Sequence, residues 1–231
     1  CITPAFADDA RDAAEGLKDK GNELYRDGKV DEAIEMYRSA IEADSTYAFA
    51  YNNLGIALYE KGDWRQSAEM LEKAVALDDT YAKAYNSLGN AYFAMAEYEK
   101  AKNAYAQSIE LVPGFAQKHI NLGNAYYALG MTEEAVKEYE EALEIDAYSP
   151  DAANNKGVAL QSLGDIEGAR ESYLEAINIS SRDVRANINL GILHFEADPP
   201  NYKRAIEYFT RATEYDEDNL LAQYNFGLAL S

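Results

Sequence analysis

The apolar positions of this chain recur with helical spacing, and the pattern itself repeats. Gly21, Leu24, Ala33, Tyr37 and Ala40 are matched at the same offsets by Gly123, Tyr126, Ala135, Tyr139 and Ala142, and again by Gly157, Leu160, Ala169, Tyr173 and Ala176. Seven glycines set the frame: Gly21, Gly55, Gly89, Gly123, Gly157 and Gly191 stand 34 residues apart, and Gly227 follows after 36. Each lies inside a helical pattern, where glycine costs about 1 kcal/mol relative to alanine, so the repetition calls for a repeated physical reason. Close approach of two helix backbones, open only to a residue without Cβ, is the expected one. Sixteen residues after each of the first five glycines comes a bulky side chain (Tyr37, Leu71, Tyr105, Tyr139, Tyr173), with Phe209 displaced by two. These are expected to fill the space between successive units.

Each unit reads as two helices of about 14 residues joined by a short turn. In the second, the pattern predicts helices over 48–61 and 64–77 with Lys61-Gly62-Asp63 between them. Gly62 suits the left-handed end of the first helix, and Asp63 suits the N-cap of the second. Such pairs bury their apolar faces only by stacking on one another, so the period predicts an array grown by neighbour contacts.

Glycine at the eighth position, a small residue at the twentieth, a bulky one at the twenty-fourth and a small one at the twenty-seventh of a 34-residue helix-turn-helix resemble the tetratricopeptide repeat. The resemblance implies an all-α, right-handed superhelical solenoid of antiparallel helix pairs. Six units fall at 14–47, 48–81, 82–115, 116–149, 150–183 and 184–219, with a partial seventh at 220–231 and an N-terminal segment at 1–13. Two departures stand out: the tryptophan expected at the fourth position is absent throughout, and only Pro113 answers the proline expected near a unit's end. The sixth unit carries two extra residues in its turn, around Asp198-Pro199-Pro200-Asn201. Residues 220–230 are apolar nearly all round, where a terminal helix should be polar outside. This predicts either a cut edge of a longer array or self-association through 220–231.

Composition narrows the partners. A net charge of −20 argues against nucleic acid, whose phosphates are bound mainly by Lys and Arg, and against anionic membrane surfaces. No stretch approaches the roughly 20 apolar residues of a membrane span. Cys1 is the single cysteine, so no intrachain disulfide or thiolate metal site can form; a lipidated Cys1 is a weaker alternative. Ala5-Phe6-Ala7 fits the small-x-small end of a secretory signal, with cleavage before Asp8. That reading places the protein outside the cytoplasm, and a fragment edge leaves it cytoplasmic.

In the family this chain resembles, the first helix of each pair lines the inner groove. Its sixth position carries Asn53, Ser87, Asn121, Asn155 and Asn189; the fifth adds Asn52, Asn86 and Asn154, and the ninth adds Asn22, Asn90 and Asn124. Tyr59, Phe93 and Tyr127, at the twelfth, flank them. An asparagine side chain offers the hydrogen-bonding complement of a peptide group, so a row of them can grip an extended backbone. The row resembles the asparagine ladder of the O-linked N-acetylglucosamine transferases and kinesin light chains. The alternative is that the same residues tie neighbouring helices together. Lys18, Asn22, Asn53 and Lys83 also resemble the two-carboxylate clamp of chaperone cofactors, which holds acidic C-termini; the arginine expected as its fifth member is Ser87.

Catalytic constellations are not expected. His119 and His194 take positions that normally pack inward, Asp216-Glu217-Asp218 lacks calcium-loop spacing, and Asn178-Ile179-Ser180 is a lone glycosylation match. The expected function is a scaffold without cofactor or metal that binds a protein or peptide in its groove. The alternatives are a carboxylate-clamp co-chaperone and the substrate-binding part of a longer enzyme such as a glycosyltransferase.

Overall fold

The structure, a computed structural model, describes the chain from Pro4 to Ser231, with side chains from Asp9 onward. Cys1 lies outside the described residues, as do the side chains of Ala5, Phe6 and Ala7. Among the described residues there are thirteen α-helices and no strand. They are α1 (Pro4–Arg26), α2 (Val30–Ala43), α3 (Ala48–Glu60), α4 (Trp64–Leu77), α5 (Ala82–Ala94), α6 (Tyr98–Leu111), α7 (Ala116–Ala128), α8 (Thr132–Ile145), α9 (Pro150–Ser162), α10 (Ile166–Ile179), α11 (Val184–Glu196), α12 (Tyr202–Tyr215) and α13 (Leu220–Leu230). Helix α1 runs unbroken through residues 4–13 into the first repeat.

Two compact units divide the chain, the first ending at Gly114 and the second beginning at Phe115. In each, an odd-numbered helix packs against the even-numbered helix that follows, and that helix packs on the next pair. The core of the first unit gathers Ala33, Ile34, Tyr37, Leu54 and Leu58, then Leu71, Leu88 and Ala91. In the second, Ile120 and Tyr139 form one cluster, and Tyr173, Leu190 and Leu193 another.

The repeated glycine has a different cause from the one expected. The side chain sixteen residues on lies flat on it from the partner helix of the same pair. A Cβ on Gly21 would stand 2.6 Å from the Tyr37 ring, and one on Gly55 would stand 2.5 Å from Leu71 Cγ. The bulky residues thus seat on the glycine of their own pair and also pack on the next, Tyr37 clustering with Leu54 and Leu58 of α3 and Leu71 with Leu88 and Ala91 of α5. Small residues do meet across the pair, since the buried Ser67 hydroxyl donates to the Gly55 carbonyl at 2.7 Å.

The turns follow the sequence reading in part. Gly28, Gly62, Gly130 and Gly164 all have positive φ and close the first helix of their pairs. Asp63 stands at the N-cap of α4 but its side chain accepts no capping bond, whereas Asp165, at the matching place before α10, accepts from Gly168 N at 3.0 Å. The longer turn of the sixth unit spans 197–201 between α11 and α12.

Candidate binding site

The asparagines of the odd-numbered helices belong to chains of hydrogen bonds that begin at the buried aromatic residues. In the first unit, Tyr37 Oη donates to Asn22 Oδ1 at 2.9 Å, and Asn53 Nδ2 donates to the same oxygen at 2.8 Å. Asn52 Nδ2 then donates to Asn53 Oδ1 at 2.9 Å. In the second unit, Tyr139 Oη and Asn155 Nδ2 both donate to Asn124 Oδ1, at 2.8 and 3.1 Å. Asn154 Nδ2 continues to Asn155 Oδ1, and Asn189 Nδ2 to Asn154 Oδ1 at 3.0 Å. Tyr105 Oη donates to Asn90 Oδ1 at 2.9 Å in the same manner. Burial raises the pKa of Tyr37, Tyr105 and Tyr139, so each hydroxyl keeps the proton it donates.

These chains give the asparagines a direction. A side-chain amide oxygen has two lone pairs, and at Asn22 and Asn124 both are occupied from within the protein. What remains at these two positions is the pair of N–H donors on Nδ2, which meet no acceptor among the described residues. The peptide-like complement expected from sequence thus reduces, at these two positions, to the N–H donors. Elsewhere the row is more fully used: Gln117 Nε2 donates to Asn121 Oδ1 at 3.0 Å, and the Tyr127 and Ser162 hydroxyls share a bond of 2.8 Å. Asn86, Asn90 and Asn121 have further interactions. Tyr59 is exposed, and Phe93 stacks edge-on against Tyr98 at 5.2 Å between centroids.

Around Asn22 the first unit forms an open pocket of about 350 Å³ lined by Asn22, Tyr25, Arg26, Tyr37, Asn53, Ile56 and Lys83. It brings together three of the four residues of the proposed clamp. Lys18 is the exception. Its ammonium lies 2.7 Å from Asp19 Oδ1 with the side chain only 15% exposed, and it is not among the lining residues. Burial alone would lower its pKa, but Asp19 and Tyr47 outweigh that and raise it. In its place the pocket holds Arg26, whose Nε donates to the Asn22 carbonyl oxygen at 3.2 Å. Arg26 was not assigned to the clamp, although it stands at the thirteenth position of the first repeat, itself a groove position by the same count, and one turn beyond Asn22 on α1. Tyr25 is pushed up to about 12, first by burial and then by a hydrogen bond with Glu60.

The histidines are accounted for by packing. His119 Nδ1 is 2.9 Å from Glu138 Oε2. His194 stacks on Tyr208 at 5.6 Å, and burial followed by the charges of Arg204 and Arg170 lowers its pKa. No described helix is long and apolar enough to cross a membrane.

Stacked antiparallel helix pairs with a glycine seat in each define a helix-turn-helix repeat protein. The chain belongs to the tetratricopeptide repeat family: one TPR repeat model matches residues 21–62 and 123–164, and two tetratricopeptide repeat models match 47–113 and 150–183. Its fold is that of a protein-interaction scaffold. No curated protein matches the sequence. Among solved structures, MamA is 27% identical with a TM-score of 0.67, over 71% of this chain and 96% of that one. PilF of Pseudomonas aeruginosa is 20% identical with a TM-score of 0.76, over 94% and 97%. YrrB, described as a TPR protein with an unusual peptide-binding site, is 21% identical with a TM-score of 0.65, over 81% and 96%.

Proposed function

We propose that the protein is a non-catalytic scaffold that binds an extended protein segment along its odd-numbered helices, and that the pocket at Asn22 receives an acidic group of that segment. The observation that carries this reading is the polarity of the pocket. With the Asn22 oxygen saturated by Tyr37 and Asn53, its Nδ2 presents donors beside the guanidinium of Arg26 and the ammonium of Lys83. A carboxylate accepts from all three, and charge-assisted bonds of this kind are roughly twice as strong as neutral ones. In the second unit, Asn124 offers the same donors without a flanking cation among its hydrogen-bonded partners, which suits a neutral peptide carbonyl. The clamp reading is thereby kept in altered form, with Arg26 in the role that the resemblance gave to Lys18.

Fluorescence anisotropy with a labelled octapeptide ending in two acidic residues tests this. Binding should weaken at least about tenfold, or about 1.4 kcal/mol, for Arg26→Ala with Lys83→Ala, while the melting temperature stays within about 2 °C because both are surface changes. Amidation of the peptide's C-terminus and acidic side chains should weaken binding by a similar factor. Equal affinity of the amidated peptide, or absence of binding at about 0.15 M salt, would overturn the assignment.

A further inference from the structure

The residue seated on each repeat glycine goes with what stands beside that glycine in the groove. Of the six seats four hold a buried tyrosine, and each of those hydroxyls donates to a side-chain amide oxygen. Tyr37, Tyr105 and Tyr139 donate to Asn22, Asn90 and Asn124, each at the ninth position of its own repeat. In the fifth repeat the ninth position is Val158, and Tyr173 Oη turns instead to Gln161 Oε1 at 2.8 Å, one turn further along the same helix. The other two seats hold Leu71 and Phe209, which lack a hydroxyl, and there the ninth position is Ile56 or Ile192. Hydroxyl and amide occur together, and their absences coincide.

Packing does not require the hydroxyl. Phe209 is 1% exposed on Gly191, so a ring alone fills the seat, whereas a buried phenol adds a polar atom that must find a partner. What the hydroxyl adds is orientation. Turning a side-chain amide over exchanges two donors for an acceptor with little change of shape. The Tyr37 hydroxyl is held in the core, 2% exposed, and donates to the oxygen of Asn22 at 2.9 Å. Meeting the nitrogen end instead would leave its own proton unpaired in the core, which costs more than the bond gains. Asn53 is a second donor to that oxygen, but its side chain is itself held by another amide, that of Asn52. Tyr37 is the anchor that the fold fixes.

We propose that Tyr37 is a positioning residue for ligand binding. Its hydroxyl holds the Asn22 amide with both N–H groups toward the pocket, and this makes the pocket select an anionic group over a neutral one. The inference rests on the reading that the Asn22 pocket receives an acidic group, and it assigns part of that selectivity to a residue acting through Asn22.

The test is Tyr37→Phe, which keeps a ring on Gly21 as Phe209 lies on Gly191. Anisotropy is measured with the octapeptide ending in two acidic residues and with its amidated form. The variant should lose at least about fivefold in affinity for the acidic peptide. It should keep its affinity for the amidated peptide, because an amide released to turn can offer its oxygen to an N–H group. A loosened core would weaken both peptides alike. Without ligand, NMR relaxation of the Asn22 side-chain amide should show an order parameter near that of rigid backbone in the wild type and below about 0.6 in the variant. The proposal is overturned if the ratio of the two affinities is the same in variant and wild type, or if the Asn22 side chain stays equally ordered. Wild-type protein that binds both peptides equally overturns the acidic-group reading itself, and this proposal with it.

Discussion

At Asn52 the amide oxygen is buried and has no hydrogen-bond partner in the protein. The corresponding oxygen in the second unit, Asn154 Oδ1, accepts from Asn189 at the sixth position of the next repeat. In the first unit that next sixth position is Ser87, whose side chain is too short to reach. Ser87→Asn therefore supplies the missing donor. An unsatisfied buried acceptor costs about 1–3 kcal/mol and a net hydrogen bond gains about 1 kcal/mol, so the variant should raise the melting temperature by roughly 2–4 °C. Thermal unfolding by circular dichroism checks it; a fall in melting temperature would mean that the larger side chain is not accommodated. The column of asparagines was legible from sequence, because counting from the glycines places them on one face. Which of their atoms remain free was not, since an amide's composition gives its capacity and only packing assigns its partners. The same limit applies to Lys18: repeat position alone says nothing of Asp19 and Tyr47, which hold it.

Between the two helices of each pair, the turn sets their antiparallel approach. Four of these turns place glycine in the left-handed region, but in the third repeat the residue there is Ala96, at φ 59°. Its backbone bonds match those of the glycine turns: Ala96 N donates to Phe93 O at 2.9 Å and Glu97 N to Tyr92 O at 2.9 Å, as Gly62 N and Asp63 N donate to Tyr59 O and Leu58 O. The packing of α5 on α6 thus imposes the conformation on a residue that resists it by about 1–2 kcal/mol. Ala96→Gly should stabilise the protein by about 0.5–1 kcal/mol, after the greater freedom glycine gives the unfolded chain is subtracted. The reverse change, Gly62→Ala, should destabilise it by about 1 kcal/mol or more. Urea unfolding of both variants separates the two signs, and a destabilised Ala96→Gly would show that the strain has been relieved some other way. At this scale the sequence was most informative: the glycines, the helix lengths and the long sixth turn all followed from spacing. Spacing did not reveal that the bulky side chain meets the glycine of its own pair as well as the next pair, because helical periodicity gives the face of a side chain but not which neighbours meet it.

Over the whole molecule the net charge of −20 acts on a ligand long before the pocket does. Lys83 and Arg26 meet a bound carboxylate at hydrogen-bonding range, well inside the Debye length of about 8 Å at physiological salt, so that attraction is screened little. Glu60 lies at the pocket, bonded to Tyr25, whereas acidic residues beyond a Debye length are felt only when that length grows toward about 30 Å, near 0.01 M salt. The two terms oppose each other for an acidic ligand, and ionic strength separates them kinetically. For the acidic octapeptide, kon should rise as salt is raised from 0.01 to 0.15 M, because the long-range repulsion is removed, while koff changes little. A peptide with the same acidic terminus and a basic flank should show the opposite slope, its kon falling over the same range. Stopped-flow anisotropy reads both. An acidic peptide whose kon falls with salt would mean that Arg26 and Lys83 dominate the approach as well as the contact, and that the bulk of the negative charge lies too far from this pocket to matter.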